Sequence, residues 1–258
     1  MVKAKKHLGQ HFLKDLSIAQ RIVDSLSPEP NQVMEIGPGT GVLTQYLVQR
    51  PNIDLNLIEL DIESVEYLNA HYFELKNRIH FKDFLKLDLT EIYQTPFALV
   101  GNFPYNISGP IFFKVFEYRN QIPQVVGMLQ KEVAERLAAG PGSKTYGVLS
   151  VLLQAFYTID YLFTVEPHVF NPPPKVKSGV IRLVRNNVEK LPCDELLFVK
   201  VVKAIFNQRR KAIRNSLKAI PFNKEAIADH EFLTRRPEQM SVDNFIELTR
   251  MIQDNPMK

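Results

Sequence analysis

Glu35-Ile-Gly37-Pro-Gly39-Thr-Gly41 is the stretch that decides the fold. A short apolar run, Gln32–Ile36, precedes it, and a segment with helical spacing, Val42, Leu43, Tyr46 and Leu47 within Gly41–Gln49, follows it. Strand, glycine turn and helix in that order open a doubly wound sheet. Such turns bind nucleotides because glycine lets the backbone approach a ligand closely at a helix N-terminus. Gly37 and Gly39 fit the dinucleotide fingerprint, but its sixth position is Val42 and the third glycine comes one residue early. No Gly-Lys-Ser/Thr follows, so the loop is not a P-loop. Taken alone it is a weak ligand signal, since an ordinary turn uses the same residues.

Working outward, the alternation continues. Ile53–Leu60, Arg78–Phe81, Phe97–Gly101 and Pro123–Leu129 read as strands, with helices expected at Ile62–His71, Gly109–Tyr118, Lys131–Ala138 and Gly147–Phe156. Tyr157–Val165 and Val176–Val184 read as strands separated by Asn171-Pro-Pro-Pro-Lys175, which three prolines keep out of regular structure. The pattern predicts an α/β, Rossmann-like domain with a mostly parallel sheet. After Asn187 only helical periods remain. Asp194 is a plausible N-cap for a helix over Glu195–Lys218, and a last helix is expected at Val242–Gln253. We therefore expect two domains, 1–187 and a small all-helical 188–258.

The chain has 258 residues, 45% hydrophobic and 23% charged, which is ordinary globular usage and argues against disorder or a coiled coil. No stretch approaches the roughly 20 apolar residues of a membrane span, and no apolar segment follows Lys3, Lys5 and Lys6 as a secretory signal requires. One cysteine, Cys193, excludes an intramolecular disulfide and a multi-cysteine zinc site. No metal is expected, and the compartment reads as cytoplasmic. The net charge of +4 says little, but its distribution says more. Residues 1–14, 171–187 and 200–218 hold fifteen of the 32 basic residues and no acid. Such clustering is a footprint for a polyanion, most often nucleic acid. In the last window an apolar stripe leaves Lys203, Arg210, Lys211 and Arg214 for an exposed, phosphate-gripping face; a merely solvated basic face is the plain alternative.

Acids follow the next two strands. Glu59, at the end of the second, suits two vicinal ribose hydroxyls, in S-adenosylmethionine or NAD alike. Asp83, just past the third, suits the exocyclic amine of an adenine; Asp88 competes with it but sits farther from the strand end, and a helix N-cap role is the plain alternative for either. The most specific feature is Gly101-Asn102-Phe103-Pro104-Tyr105-Asn106-Ile107-Ser108 after the fourth strand. The N6 amine of adenine is a poor nucleophile because its lone pair is delocalised into the ring. The Asn102 side-chain oxygen can accept one of its hydrogens and a backbone carbonyl of the Phe103–Pro104 turn the other, localising the lone pair toward a methyl donor. Pro104 stiffens the turn and Tyr105 offers a stacking face, so positioning and electrostatics carry the rate. Phe170, in a loop beside the site, could sandwich the target base opposite Tyr105, once that base has left its stack; an ordinary core phenylalanine is the plain alternative.

Together with His7-Leu-Gly-Gln-His-Phe-Leu-Lys-Asp15, Ile58-Glu-Leu-Asp61, Phe170-Asn-Pro-Pro-Pro-Lys-Val-Lys-Ser178 and Phe206-Asn-Gln-Arg-Arg-Lys211, these segments resemble the KsgA-type ribosomal RNA adenine dimethyltransferases from about residue 5 to 250. The resemblance implies S-adenosylmethionine-dependent dimethylation of N6 on two adjacent adenosines. These lie in the 3′-terminal hairpin loop of 16S ribosomal RNA, and the immature 30S subunit is the partner of a monomeric enzyme. It implies that His11, Leu13, Gly37, Gly39, Glu59, Asp83 and Asn102 line the cofactor site. His11 stands where the family often has Asn, and Phe103 where it often has Leu.

Rival readings differ at identifiable places. Methyltransferases of DNA adenine or glutamine amides resemble an Asn/Asp-Pro-Pro-Tyr tetrad, whereas position 103 here is Phe. The large-subunit RNA methyltransferase of macrolide resistance shares the fold, and the sequence does not separate it. A non-catalytic assembly factor is disfavoured by intact Asn102, Pro104 and Tyr105. A zinc deaminase is excluded by the missing Cys-x-x-Cys and His-x-Glu, and an NAD enzyme is disfavoured by the glycine spacing.

Overall fold

The computed structural model describes residues 2–257; Met1 and Lys258, the outer ends of the two expected domains, lie outside the described residues. In chain order the strands are β1 (Phe12–Leu13), β2 (Gln32–Ile36), β3 (Asp54–Glu59), β4 (Ile79–Phe81), β5 (Ala98–Asn102), β6 (Gln124–Gln130), β7 (Tyr157–Val165), β8 (Phe170–Asn171) and β9 (Ser178–Arg185). The α-helices are α1 (Leu16–Asp24), α2 (Thr44–Leu47), α3 (Ile62–His71), α4 (Ser108–Glu117), α5 (Lys131–Ala138), α6 (Val148–Gln154), α7 (Glu195–Phe206), α8 (Ile213–Ser216) and α9 (Val242–Asp254).

A seven-stranded sheet runs in the order β4-β3-β2-β5-β6-β9-β7. The five strands from β4 to β6 pair in parallel, and β9 returns antiparallel to β6. The parallel strands read as near-continuous apolar runs because helices cover both faces; Ala98 to Val100 of β5 are at most 1% exposed. The chain reverses its strand order beside β2, which puts the glycine loop after β2 and the Asn102 turn after β5 at neighbouring strand ends, where open α/β sheets bind ligands. Local chemistry starts the flanking helices. Asp15 caps α1 by accepting from the Ser17 and Ile18 N–H groups, and Asp61 caps α3 by accepting from Glu63. Helix α1 buries Ala19, Ile22 and Val23, one stripe of a 3.6-residue period.

Two compact units emerge: 1–135 with 158–185, and 136–157 with 186–258. The residue division thus differs from a single cut at 187/188, since the segment 136–157 groups with the C-terminal helices. Its bonds explain this. Arg209 donates to the Ser143 and Lys144 carbonyls, the Gly142 N–H donates to the Glu238 carbonyl, and the Tyr146 ring meets Phe206 edge-on at 6.0 Å. Within that unit Phe206 also stacks on Phe245 at 5.7 Å, joining α7 to α9.

Two expected helices are shorter than their periodicity implies. Only Thr44–Leu47 of Gly41–Gln49 is α-helical. The helix expected over Glu195–Lys218 starts at the Asp194 cap but stops at Phe206 and resumes as α8. Ala212 is extended, and the Ile213 N–H donates to the Arg235 carbonyl rather than to a helical partner. That tertiary bond overrides the local period.

Candidate active site

The glycine loop turns in the left-handed region, with φ of +63° at Gly37, +57° at Gly39 and +80° at Gly41. Close approach is required as well: a Cβ on Gly39 would lie 2.8 Å from the Phe12 ring, and one on Gly41 2.6 Å from Tyr72. Glu59, only 5% exposed, ties this loop to the end of β3. Its Oε2 accepts from the Gly39 N–H at 3.0 Å, and its Oε1 from the Leu60 and Asp61 N–H groups at 2.8 and 2.9 Å. Burial raises its pKa against the pull of these bonds. A carboxylate has about four acceptor positions, and three are taken here, so one remains for a ligand hydroxyl.

Asp83 and Asp88 part company. Asp83 lines the pocket and is held by the Leu85 N–H at 2.9 Å. Asp88 caps the short 3₁₀ turn at Leu89–Glu91 through Thr90, outside the pocket lining. Both acids thus hold the turn that follows them, and only Asp83 also faces the pocket.

The Asn102 amide nitrogen donates to the His11 carbonyl at 3.0 Å. With the nitrogen engaged, the oxygen is the group left to accept. The Phe103 N–H is bonded to the Met128 carbonyl at 2.9 Å, and the Pro104 carbonyl accepts from Ile107 at 3.1 Å. Of the two carbonyls in the turn, that of Phe103 is the one without such a backbone donor among the described residues. Tyr105 is half-buried, its hydroxyl 2.5 Å from Ser178 Oγ, and burial raises its pKa, so it remains a phenol. Phe103 lines the pocket, but its ring is fully buried and lies over Gly101 and Gly127, which are paired across β5 and β6. Phe for Leu at this position therefore fills a slot beneath the turn.

Phe170 is the correction. It is 1% exposed, belongs to the hydrophobic core with Leu13, with which it pairs, and does not line the pocket. The β1–β8 ladder turns its side chain inward, so the base sandwich opposite Tyr105 is not formed. The aromatic neighbour of Tyr105 is His11, with ring centroids 5.3 Å apart. The structure brings His11, Leu13, Gly37, Gly39, Glu59, Asp83, Asn102, Pro104 and Tyr105 onto one pocket.

Several residues the sequence reading missed hold this pocket together. Beside the expected His11 and Leu13, the N-terminal arm brings Leu8, Gly9, Gln10 and Phe12 to the same wall of the pocket. Lys5 pairs with Asp61 and, at 3.1 Å, with Glu63, while Gln10 donates to Asp61 at 3.1 Å. Burial penalises the Asp61 carboxylate, yet the hydrogen bonds from Lys5, Gln10 and Ser64 hold its pKa below the ordinary value. Only a Lys and a Gln before an apolar pair signalled this in the sequence. Glu35, buried under the glycine loop, accepts from the Thr44 hydroxyl at 2.7 Å, and burial pushes its pKa up to about 8. A carboxylate inside an otherwise apolar strand was its visible mark.

Of the expected basic face, Lys203 lies on α7, Arg210 and Lys211 in the turn after it, and Arg214 on α8, all exposed. Lys5, of the N-terminal basic window, is paired with Asp61. Among the described residues no group of three or more His, Cys, Asp or Glu is placed to hold a metal, and no helix is long and apolar enough to cross a membrane.

The profile of the family described as ribosomal RNA adenine dimethylase matches residues 1–253. The protein named ribosomal RNA small subunit methyltransferase A in Parabacteroides distasonis is 58% identical over 256 residues, covering 98% of this chain and 95% of its own. The one so named in Flavobacterium johnsoniae is 56% identical over 254 residues, covering 98% and 97%. Among solved structures, a dimethyladenosine transferase from Plasmodium falciparum superposes with a TM-score of 0.79 at 22% identity, covering 96% of this chain and all of its own. The 23S rRNA methyltransferase ErmE superposes at 0.66 with 24% identity, covering 93% and 99%. These two structures speak to the fold, a Rossmann-like methyltransferase domain followed by helices.

Proposed function

Because the chain belongs to the ribosomal RNA adenine dimethylase family, we propose that it dimethylates N6 of two adjacent adenosines in the 3′-terminal hairpin of 16S ribosomal RNA, using S-adenosylmethionine, during maturation of the small subunit. The observation that carries this reading is the meeting of the glycine loop, Glu59, Asp83 and the Asn102–Tyr105 tetrad on one pocket, with the Asn102 nitrogen already engaged. The small-subunit target is preferred because relatives at 58% and 56% identity carry that name, whereas the large-subunit enzyme stands at 24%.

The pocket fits the cofactor. Gly37 and Gly39 leave room for backbone to approach it, Glu59 keeps an acceptor position for the ribose, and Asp83 is set for the adenine amine, with His11 and Leu13 closing the arm side. When bound, S-adenosylmethionine supplies an electrophilic methyl on sulfur. The chain's own part is to hold the target amine. Asn102 Oδ1 accepts one N6 hydrogen and the Phe103 carbonyl the other, which localises the nitrogen lone pair. Tyr105, its hydroxyl anchored on Ser178, presents a ring face to the base. None of these groups acts as a strong base, because the amine sheds its proton after the new bond forms; fixed dipoles and positioning supply the rate.

Exposed Lys203, Arg210, Lys211 and Arg214 of the helical unit are read as contacts to RNA phosphates, which orient the substrate without reading its sequence. Specificity is then left to RNA shape and to the splayed base. The reading extends to a cytoplasmic monomer. The test is transfer of labelled methyl to immature small subunits, with mapping of the modified bases. Asn102→Ala should abolish most transfer while leaving the circular dichroism spectrum unchanged. Near-normal turnover in that variant would defeat the amine-holding mechanism, and label on a different RNA would defeat the target assignment.

A further inference from the structure

Lys114 is a lysine in an unusual place. It sits in the middle of α4, the helix that follows the tetrad, and is only 8% exposed. Lysine is almost never buried without partners. Its ammonium donates to the Leu85 carbonyl at 3.1 Å and to the Leu87 carbonyl, and lies 5.4 Å above the Phe84 ring. These three partners belong to the loop that begins with Asp83; the Tyr118 ring, just past the end of α4, lies 5.5 Å from the same ammonium.

The other bonds of that loop complete a chain of contacts. The Asp83 side chain accepts the Leu85 N–H, and the Asp83 carbonyl accepts from Lys86 and Leu87 at 3.0 and 3.1 Å. The Leu85 carbonyl that Lys114 holds thus belongs to the same peptide unit as the Lys86 N–H that bonds Asp83, and to the same residue as the N–H that bonds the Asp83 side chain. At the other end, Ser108, the first residue of α4, donates its hydroxyl to the Tyr105 carbonyl at 3.1 Å. One helix therefore grips the tetrad with its first residue and the Asp83 loop with its seventh.

We propose that Lys114 is a positioning residue: it fixes Asp83, and with it the adenine end of the cofactor pocket, relative to the Asn102–Tyr105 tetrad. The cost of desolvating its charge, which lowers its pKa, is offset by carbonyls that no neutral side chain of this length would serve as well. The proposal rests on the reading of Asp83 as the acceptor of the cofactor's adenine amine.

The experiment compares two ligands by calorimetry: S-adenosylhomocysteine, which carries that amine, and S-inosylhomocysteine, which carries a carbonyl in its place. Preference of the wild-type protein for the first tests the reading of Asp83 itself. Lys114→Met keeps the stem and removes the ammonium. It should weaken S-adenosylhomocysteine about tenfold, the scale of one charge-assisted hydrogen bond, and leave S-inosylhomocysteine nearly unchanged. Lys114→Arg, which keeps the cation, should restore the preference. If Lys114→Met folds poorly, Lys114→Gln provides the same comparison. Equal weakening of both ligands, or no weakening of either, overturns the proposal, because a merely structural lysine would not act on one exocyclic group.

Discussion

The slot beneath the tetrad offers a sharp test of how the catalytic turn is held. In Gly127→Ala the new Cβ would stand 2.3 Å from Phe103 Cε2, with Cδ2 and Cζ at 2.9 and 3.0 Å. Carbon atoms settle at about 3.5–4.0 Å, so the ring must recede by roughly 1.2 Å or more. It has no open side to enter. Phe103 is fully buried, and Phe112 packs edge-on against it at 5.8 Å. Overpacking of this kind costs about 1–3 kcal/mol, which for a chain this long lowers the melting temperature by about 2–10 °C. The larger effect falls on turnover. Phe103 lies between Asn102 and Pro104, so a displaced ring shifts the two acceptors of the target amine, and a misplacement near 1 Å costs on the order of a hundredfold in rate. Glu59 and Asp83 follow other strands, so S-adenosylhomocysteine affinity should change by less than about tenfold. Single-turnover methyl transfer, calorimetry and thermal melting on the same preparation separate these effects. Phe103→Leu in the Gly127→Ala background should recover much of the rate, because the shorter side chain vacates the collision. Wild-type melting and turnover in Gly127→Ala would refute the argument, and loss of rate without recovery by leucine would show that the ring does not transmit it.

Glu59→Gln leaves one oxygen for three backbone N–H groups and places an amide NH₂ against at least one of them. S-adenosylhomocysteine should bind about tenfold to a hundredfold more weakly, or ~1.5–3 kcal/mol; unchanged calorimetric affinity would remove Glu59 from the site. Glu35 has a folded pKa of about 8 against an ordinary 4.5, so the folded state retains a proton that the unfolded state releases. Its contribution to stability is therefore fully present below about pH 4.5 and is lost as pH rises toward 8, by up to a few kcal/mol. Glu35→Gln should flatten the fall in melting temperature across that window, with Glu59 supplying a residual slope of the same sign; a variant curve parallel to wild type would refute this. Replacing Arg210, Lys211 and Arg214 with Ala should weaken RNA binding and reduce its salt dependence by about one unit of slope for each phosphate no longer engaged. Equal slopes would mark that surface as solvated only.

Much of the pocket was legible because its residues carry chemistry in their types. Glycines at 37 and 39, acids at 59 and 83 and the Asn-Phe-Pro-Tyr turn each announce a role at a strand end, and alternating apolar runs placed those ends in order. The bonds that fix their orientation were not legible, because they join residues far apart in the chain: the Asn102 amide to the His11 carbonyl, Tyr105 to Ser178, Lys114 to the Asp83 loop. Phe170 shows the converse error. Its position in the sequence put it beside the site, but only the β1–β8 register decides which way an alternating side chain turns. The break after Phe206 was hidden for a similar reason, since helical periodicity runs through it and a tertiary bond from Ile213 ends it.

The pairing of β1 with β8 also bears on how the protein is made. His11 Nδ1 lies 2.8 Å from the Pro172 carbonyl, 161 residues further along the chain. At a synthesis rate of about 5–20 residues per second, roughly 8 to 32 seconds separate the appearance of the two partners. Throughout that interval the glycine loop, Glu59, Asp83 and Asn102 can assemble on their strands and engage the arm through Asp61 and Asn102, while β1 still lacks its partner strand. The nascent chain thus passes through a stage with a formed floor and a loose roof, and its affinity for cofactor should rise abruptly once residue 172 is free to fold.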